Sequence, residues 1–372
     1  MAAIPDKIMT WQMVQPTSRN KETGEITPGK IEKAEIPVPE LKPGEVLVEI
    51  AGCGVCHTDL GYFYDGVPTV SKPPLTLGHE ISGTVVACDK NDKNWMGKEV
   101  IIPAVMPCRQ CLLCKTGRGN RCLAQKMPGN SLGLYGGFSS HIPVPSVDLC
   151  EVKNRGDVSL SNLAVVADAA TTPYQAAKRA DLQPGDNVII IGITGGVGQY
   201  MGQVAKALGS KTVIGIARNK EKLERSIKFG ADFVINSTDK DAGAVSKEFR
   251  ELCKSKALPN FGWKIFEITG VKGGQEIALS LLGFTGKLVV VGFGLAKTEY
   301  AIGRLMAFDA DILGSWGCLP EYYPIVLDMV LSKKIDMAPF VETRPMSTIV
   351  KTFEEVHKAG SPAKRIVLTP DF

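Results

Sequence analysis

Four cysteines lie close together in the first half of the chain. They follow the spacing Cys108-x2-Cys111-x2-Cys114-x7-Cys122. Four thiolates so closely spaced can complete a tetrahedral shell around zinc, which leaves no coordination position for a substrate. We therefore predict a structural zinc site here. An iron–sulfur cluster is the alternative that the pattern leaves open.

A second group of potential metal ligands lies upstream, in two glycine-flanked segments. Residues 54–59 include Cys56, His57, Thr58 and Asp59, and residues 78–80 include His79 and Glu80. Zinc prefers thiolate and imidazole donors, although a single cysteine or histidine is more often a buried structural residue. The Thr58 hydroxyl, two residues after the thiol, favours a catalytic metal site over two unrelated core residues.

A glycine-rich turn in the second half joins a short apolar run to a helical stretch. The run is Val188–Ile191, the helical stretch is Gly198–Leu208, and the turn contains Gly192, Gly195, Gly196, Val197 and Gly198. Small residues allow a tight turn and a close approach to a pyrophosphate, whose charge is stabilised at the helix N-terminus. The flanking strand and helix favour a dinucleotide site over a purely structural turn.

The end of the next apolar run, Thr212–Ile216, bears on the choice of dinucleotide. An acidic residue here would bind the ribose hydroxyls of NAD, but the sequence continues with Ala217, Arg218 and Asn219. Because no carboxylate repels a 2′-phosphate and Arg218 can pair with it, these residues favour NADP. Stacking of Arg218 on the adenine ring is the alternative.

The overall composition is that of an ordinary globular protein. Hydrophobic residues make up 44% and charged residues 22% of the 372 residues, and the net charge is +4. This charge gives no reason to expect nucleic acid or an anionic membrane as a partner. Residues 1–14 lack the apolar core of a signal peptide, and the apolar runs are too short to cross a bilayer. We therefore expect a cytoplasmic protein, where clustered cysteines indicate a metal rather than disulfides.

Two patterns of secondary structure divide the chain. Short, turn-separated runs extend to about residue 160 and predict a β-rich domain. Beyond it, apolar runs alternate with helical stretches and predict a doubly wound parallel sheet; the runs are Val188–Ile191, Thr212–Ile216, Asp232–Ile235, Ile265–Ile268 and Lys287–Val291. After Gly317 we expect a helix at Tyr322–Ser332, irregular chain, and a last strand at Arg365–Leu368. The predicted domains are residues 1–165, with 318–372 folding back onto them, and residues 166–317.

These residues together resemble the zinc-dependent medium-chain alcohol dehydrogenases over nearly the whole chain. The segments 54–59 and 78–80, the four-cysteine cluster and the glycine turn occur in the family's order. The resemblance implies an α/β protein with a β-rich GroES-like catalytic domain and a doubly wound parallel-sheet Rossmann domain. It also implies a catalytic and a structural zinc ion, and hydride transfer between a nicotinamide dinucleotide and an alcohol or ketone carbon.

The resemblance assigns metal and proton-transfer roles to five residues of the two upstream segments. Cys56 and His79 would bind the catalytic zinc, and Glu80 would be an alternative or transient ligand. Asp59 would orient the histidine. Thr58 would hydrogen-bond the substrate oxygen and pass its proton on.

The same resemblance assigns coenzyme contacts to residues far apart in the sequence. His57, Thr172 and Arg365 match positions that contact the coenzyme, the first and last at its phosphates. The acidic residue that usually binds the ribose is missing after the apolar run Thr212–Ile216, as described above.

Two positions in the catalytic part depart from the family's usual pattern. The third protein ligand, usually a cysteine, is matched by Asp168, which we expect to bind the catalytic zinc as a carboxylate. A helix-capping aspartate is the alternative. An oxygen donor in place of a thiolate should leave the zinc more electrophilic. The usual relay histidine is matched by Gly61, so the proton must leave by another route, for example through water.

The resemblance also narrows the substrate, the coenzyme and the assembly. Within the family, Trp11–Val14 and Ala363–Phe372 are most similar to members that oxidise a cyclic, allylic acyl-CoA alcohol with NAD. We therefore expect NAD, with NADP as the alternative, a small-molecule substrate that is a CoA thioester, and a homodimer or homotetramer. The rival hypotheses are an NADP-dependent zinc alcohol dehydrogenase or aldehyde reductase of other substrates, a zinc-free reductase, and a non-catalytic dinucleotide-sensing protein.

Overall fold

The computed structural model describes residues 5–20, 22–359 and 364–372. Two parts of the segments discussed above lie outside the described residues. They are Met1–Ile4, at the start of residues 1–14, and Ala363, at the start of Ala363–Phe372. None of the helices in the described ranges is both long and apolar enough to cross a bilayer. The chain divides into two compact units, of which the first contains Met1–Thr171, Gly317–Leu331 and Met337–Phe372, and the second Thr172–Trp316 and Ser332–Asp336.

Strands dominate the first unit and alternate with helices in the second. In chain order the strands are β1 (Lys7–Gln15), β2 (Ser18–Arg19), β3 (Ile26–Thr27), β4 (Lys30–Pro37), β5 (Glu45–Gly54), β6 (Leu75–Thr76), β7 (Glu80–Cys88), β8 (Glu99–Ile102), β9 (His141–Pro145), β10 (Cys150–Glu151), β11 (Asn187–Ile191), β12 (Thr212–Ala217), β13 (Phe233–Asn236), β14 (Lys264–Glu267), β15 (Lys287–Val290), β16 (Asp311–Gly314), β17 (Val341–Pro345) and β18 (Arg365–Thr369). The α-helices are α1 (His57–Tyr64), α2 (Leu112–Lys115), α3 (Thr171–Arg179), α4 (Gly198–Ala207), α5 (Lys220–Ser226), α6 (Ala242–Ser255), α7 (Lys272–Leu281), α8 (Gly303–Phe308), α9 (Tyr323–Leu331) and α10 (Ile349–Ala359). Short 3₁₀ helices lie at Lys93–Trp95, Gly119–Arg121, Ser146–Asp148, Asn162–Ala167, Ile227–Phe229, Pro320–Tyr322, Ala338–Phe340 and Met346–Thr348.

The first unit is built around a sheet of strand order β10-β8-β7-β5-β18-β17, with β9 also paired to β5. Along β5, Val46, Val48 and Ile50 alternate and are buried in one hydrophobic core, as a strand with one apolar face requires. A smaller sheet of order β4-β1-β6 belongs to the same unit. The predicted β-rich domain is therefore confirmed.

The C-terminal segment departs from the sequence prediction in one stretch. We expected irregular chain between the predicted helix and the last strand, but the structure has β17 and α10 there. Ile349, Phe353 and Val356 of α10 recur at helical spacing and are buried in the core of the first unit. That prediction was wrong, and this helical period was the signal that could have corrected it.

The second unit is a parallel sheet of order β13-β12-β11-β14-β15-β16. Numbered within the unit this order is 3-2-1-4-5-6, that of the doubly wound dinucleotide-binding fold. The predicted apolar runs coincide with β11–β15 to within one residue at each end. Sequence reasoning missed β16, because this edge strand is mostly exposed and offers only two consecutive apolar residues. The predicted parallel sheet is confirmed.

The close packing of β11 against α4 gives a test of the second unit. A Cβ at Gly198 would clash with the carbonyl oxygen of Gly192, whereas a Cβ at Gly273 in α7 would meet no neighbouring group within 4 Å. We expect Gly198→Ala to lower the free energy of unfolding by about 1–3 kcal/mol and to weaken dinucleotide binding, because the turn must open. Thermal unfolding and the fluorescence of bound reduced nicotinamide measure the two effects.

Gly273→Ala is the matched control for this substitution. It should leave dinucleotide binding unchanged and keep or slightly raise the stability, since alanine is the better helix former. Equal stability and equal binding in the two variants would contradict this account of the turn.

Candidate active site and metal centres

Three neighbouring strands bring together candidate ligands that are far apart in the sequence. β5 and β7 pair antiparallel, with the end of β5 opposite the start of β7. Cys56 follows β5 by two residues and His79 immediately precedes β7, so both fall at the same end of this strand pair. β18 pairs antiparallel with the other edge of β5, and its first residue, Arg365, lies at that end too.

The third candidate ligand arrives from a different segment of the first unit. Asp168 directly follows the 3₁₀ helix Asn162–Ala167, whose last five residues are buried. The hydroxyl of Ser82 in β7 donates to the carbonyl of Leu160, just before this helix, at 2.6 Å. This bond fixes the helix against the strand that begins beside the histidine.

The candidate ligands converge on one point. Ligand atoms of Cys56, His79, Glu80 and Asp168 all lie within 4.8 Å of one another. The Asp168 Oδ2 atom is 3.7 Å from Cys56 Sγ and 3.6 Å from His79 Nε2. At the usual zinc bond lengths, a tetrahedron separates sulfur from oxygen by about 3.6 Å and nitrogen from oxygen by about 3.4 Å. The donor types and their separations therefore fit one zinc ion.

Asp59 is placed to orient the histidine, as the resemblance implied. Its Oδ1 atom lies 3.4 Å from His79 Nδ1 and accepts the Gly78 N–H at 3.0 Å, while Oδ2 accepts the Cys56 N–H at 3.1 Å. Burial alone would lower the pKa of His79, but the carboxylates of Asp59 and Asp168 outweigh it and raise this pKa well above its usual value. A carboxylate behind a metal-binding imidazole fixes the ring orientation.

Glu80 and Arg365 form a buried ion pair next to the candidate ligands. Arg365 is 5% exposed, and its guanidinium donates to both carboxylate oxygens, with Nε 2.9 Å from Oε2. Burial raises the pKa of Glu80 despite the opposing effect of the guanidinium. A Cβ at Gly54 would clash with this carboxylate, which explains the glycine at the end of β5. The family resemblance assigned Arg365 to the coenzyme phosphates, and no local sequence pattern links it to Glu80.

The residue expected to accept the substrate proton lies in the first turn of α1. Thr58 is partly buried, and its Oγ1 atom is 3.6 Å from Cys56 Sγ, whereas its neighbour His57 is exposed. Gly61 is buried one turn further along the helix. The helix thus presents a hydroxyl beside the thiol, and glycine at the position of the usual relay histidine.

The four-cysteine cluster forms a separate candidate metal centre in the same unit. The Sγ atoms of Cys111 and Cys114 are 3.5 Å apart, those of Cys111 and Cys122 3.8 Å, and those of Cys108 and Cys114 3.9 Å. The edge of a zinc tetrathiolate is about 3.8 Å, so the set fits a single zinc ion better than a cluster of several irons. The backbone N–H of Cys114 lowers the pKa of the Cys111 thiol to about 6, which favours the thiolate that binds metal.

The second unit contains the predicted dinucleotide turn. β11 is followed by residues 192–197, in which the Gly195 N–H donates to the Gly192 carbonyl at 3.0 Å, and α4 begins at Gly198. The helix N-terminus therefore follows the carboxyl end of β11, where the strand order of this fold reverses and a pyrophosphate binds. Thr172, another predicted coenzyme contact, lies in the first turn of α3.

Arg218 is exposed just beyond the end of β12. Its carbonyl accepts the Asn236 side-chain amide at 3.1 Å and the Thr238 hydroxyl at 2.5 Å. The Asn219 side chain is used as the cap of α5, accepting the Lys222 N–H at 2.9 Å. These bonds hold the backbone here while the guanidinium stays at the surface.

Comparison with known proteins identifies the family. Residues 42–154 match the alcohol dehydrogenase GroES-like domain, and residues 196–332 match the zinc-binding dehydrogenase family. An alcohol dehydrogenase from Geobacillus stearothermophilus is 31% identical over 350 residues, which cover 91% of this chain and 95% of the relative. The chain belongs to the zinc-dependent medium-chain alcohol dehydrogenases.

Two further relatives of this chain bear on the choice between NAD and NADP. A D-arabinose 1-dehydrogenase (NADP(+)) from Saccharolobus solfataricus is 31% identical over 90% of this chain and 93% of the relative. The structure of acetophenone reductase from Geotrichum candidum in complex with NAD has a TM-score of 0.81 at 27% identity, covering 99% of this chain and 98% of that one. The predicted family, the oxidoreductase activity on CH–OH groups and the zinc and nicotinamide cofactors are confirmed. The relatives divide between NAD and NADP.

The ligand role of Asp168 can be tested by counting metal. We expect Asp168→Ala to retain about one zinc per chain instead of about two, because the four-cysteine site stays intact while the catalytic site loses a donor. Asp168→Cys, which restores the family's usual donor, is the matched control and should retain both ions. Elemental analysis of the purified variants gives the count; full zinc content in Asp168→Ala would remove Asp168 from the ligand set.

Proposed function

We propose that this alcohol dehydrogenase oxidises 6-hydroxycyclohex-1-ene-1-carbonyl-CoA to the 6-oxo product with NAD, as a step in the anaerobic degradation of aromatic compounds. The observation that carries the reaction type is the convergence of Cys56, His79 and Asp168 on one point beside the Thr58 hydroxyl. The resemblance of the two terminal segments described above supports the choice of alcohol.

The chain's own residues would bind the alcohol and take its proton. Zinc held by Cys56, His79 and Asp168 would supply an electrophile that lowers the pKa of a hydroxyl group. Thr58 accepts the alcohol proton while its own proton passes to water, because Gly61 offers no imidazole. The nicotinamide coenzyme would accept the hydride that the substrate carbon then releases.

The carboxylate ligand suits this substrate. A carboxylate oxygen is a harder donor than a thiolate and gives less electron density to the metal, so the zinc held here is a stronger electrophile. In the proposed substrate, a conjugated thioester withdraws electrons from the ring and makes hydride release more difficult. Asp168 would offset part of this difficulty by strengthening the pull on the hydroxyl oxygen.

A basic stretch around the four-cysteine site supports a substrate that carries phosphates. Residues 108–126 contain five arginines and lysines and no aspartate or glutamate. Arg109 pairs with Asp148, and Lys126 pairs with Glu45 at 3.6 Å. The side chains of the other three cations, Lys115, Arg118 and Arg121, are exposed. Such a cluster attracts the phosphates of a CoA tail.

The choice between NAD and NADP depends on the end of β12. We propose NAD from the resemblance of the terminal segments Trp11–Val14 and Ala363–Phe372 to NAD-dependent enzymes of the proposed substrate. A specific observation favours NADP as the second candidate: Arg218 is exposed where NAD enzymes carry a carboxylate, and it could pair with a 2′-phosphate. Activity with each coenzyme on the same substrate decides between them.

The second unit supports a homodimer or homotetramer. β16 lies at the edge of the parallel sheet, where a strand offers unpaired backbone groups to another chain. Ile302 and Met306, just before this strand, are exposed. We propose that two copies associate along this edge.

We also propose that the protein works in the cytoplasm. All ten cysteines are free thiols in the structure. Thiols that must bind metal are stable in a reducing compartment.

Replacement of the Thr58 hydroxyl tests its role in proton transfer. We expect Thr58→Val to keep zinc and dinucleotide binding but to lose most of its turnover, by about 100-fold or more, because valine has no hydroxyl to accept the alcohol proton. Thr58→Ser keeps the hydroxyl and is the matched control, which should retain most activity. Steady-state rates at saturating coenzyme measure the effect; near-normal turnover of Thr58→Val would refute the role.

The proposed substrate is tested by shortening its tail. The CoA thioester should be oxidised with a kcat/KM about 10-fold or more above that of the N-acetylcysteamine thioester of the same ring acid, which lacks the phosphates. Replacing Lys115 and Arg118 together by glutamine should lower kcat/KM for the CoA thioester alone. The same change at Lys90 and Lys93, two exposed lysines outside the basic stretch, is the control. Equal efficiency with both thioesters would contradict the assignment.

A further inference from the structure

Tyr323 is a buried residue of the first unit that sequence reasoning did not connect with the active site. It is the first residue of α9 and is fully buried. Its hydroxyl donates to the carbonyl oxygen of Ala167 at 2.5 Å and accepts the backbone N–H of Ala104 at 3.0 Å. Burial raises the pKa of this phenol well above its usual value, so it remains a donor throughout the working range.

The acceptor of this bond lies one residue before the proposed metal ligand. Ala167 ends the 3₁₀ helix, and the chain leaves helical geometry at Asp168, where φ is −144° and ψ is −57°. A carbonyl at a helix end has no partner within the helix and must find one elsewhere. The Tyr323 hydroxyl supplies that partner and so fixes the peptide group that joins Ala167 to Asp168.

Thr171 holds the next carbonyl along the chain. Its hydroxyl donates to the carbonyl of Asp168 at 3.4 Å, and its side chain lies beside Tyr323. Thr171 is fully buried. The peptide groups on both sides of Asp168 are therefore held by hydroxyl groups, which limits the rotation of its backbone. With the backbone fixed, the short aspartate side chain has few ways to place its carboxylate.

We propose that Tyr323 is a positioning residue for the catalytic metal, which it serves by fixing the backbone from which Asp168 reaches the zinc. The proposal rests on the proposed ligand role of Asp168 but not on the substrate or coenzyme. Groups that orient a metal ligand typically contribute 10–100-fold to metal affinity. Thr171 reinforces the same backbone through a longer and weaker bond.

The test measures zinc affinity at the catalytic site without substrate or coenzyme. Each variant is first saturated with zinc and then titrated with a competing chromogenic chelator, which separates the weaker catalytic ion from the four-thiolate ion. We expect Tyr323→Phe to weaken binding of the catalytic zinc about 10-fold or more and to leave the structural zinc unchanged. Tyr62→Phe is the matched control: it removes another buried hydroxyl of the same unit, which accepts the Asn130 amide at 2.6 Å, and it should keep the affinity.

A double-mutant cycle separates positioning from general destabilisation. Once Asp168→Ala has removed the ligand, adding Tyr323→Phe should cause no further loss of zinc affinity. A loss of the same size in both backgrounds, or unchanged affinity in Tyr323→Phe, would overturn the proposal. If Asp168→Ala alone kept full affinity, the ligand assignment would fail instead, which distinguishes the two claims.

Thr171→Val is the second variant, in case Tyr323→Phe yields no folded protein. It removes a hydroxyl from the same network without altering the Tyr323 ring. We expect a smaller loss of catalytic zinc affinity, about 3-fold, because the bond to the Asp168 carbonyl is long. Thr171→Ser should restore the affinity. Equal affinity in the valine and serine variants would count against the network.

Discussion

A concentration of buried negative charge is the constraint on which the catalytic site depends. Asp59 and Glu80 are fully buried and Asp168 is 17% exposed, and all three lie around the imidazole of His79. Arg365 neutralises Glu80, which leaves the charges of Asp59 and Asp168 to be balanced. A buried charge that is not balanced costs several kcal/mol. A divalent cation among the candidate ligands would balance the remainder. The same excess of negative charge raises the pKa of His79, because a proton on the imidazole can also compensate the carboxylates.

Sequence alone could predict those features of the fold and of the sites whose determining residues are neighbours along the chain. The closely spaced cysteines, the glycine turn and the apolar runs of the second unit each carry their signal within a few residues, and the structure places β11–β15 and the four-thiolate centre accordingly. The helix α9 also lies within one residue of its predicted bounds at each end. The helix α10 was missed although its apolar residues recur at helical spacing and pack in the core.

The parts that sequence could not supply depend on pairing between distant segments. Arg365 meets Glu80 because β18 lies beside β5, and Tyr323 reaches Ala167 because α9 packs near the 3₁₀ helix. No local pattern encodes either contact. Resemblance to a family could name Asp168 as a metal ligand, but only the fold shows which hydroxyl groups hold its backbone. The fold, the metal ligands and the contacts that support them are therefore not equally predictable, because the residues that determine them lie at different distances along the sequence.

The most direct test of a zinc ion at the catalytic site is anomalous diffraction from crystals of the active enzyme, recorded on both sides of the zinc absorption edge. We expect one anomalous peak within the four-cysteine centre and a second one in contact with Cys56, His79 and Asp168. Crystals of fully active protein with a peak in the four-cysteine centre alone would contradict this expectation.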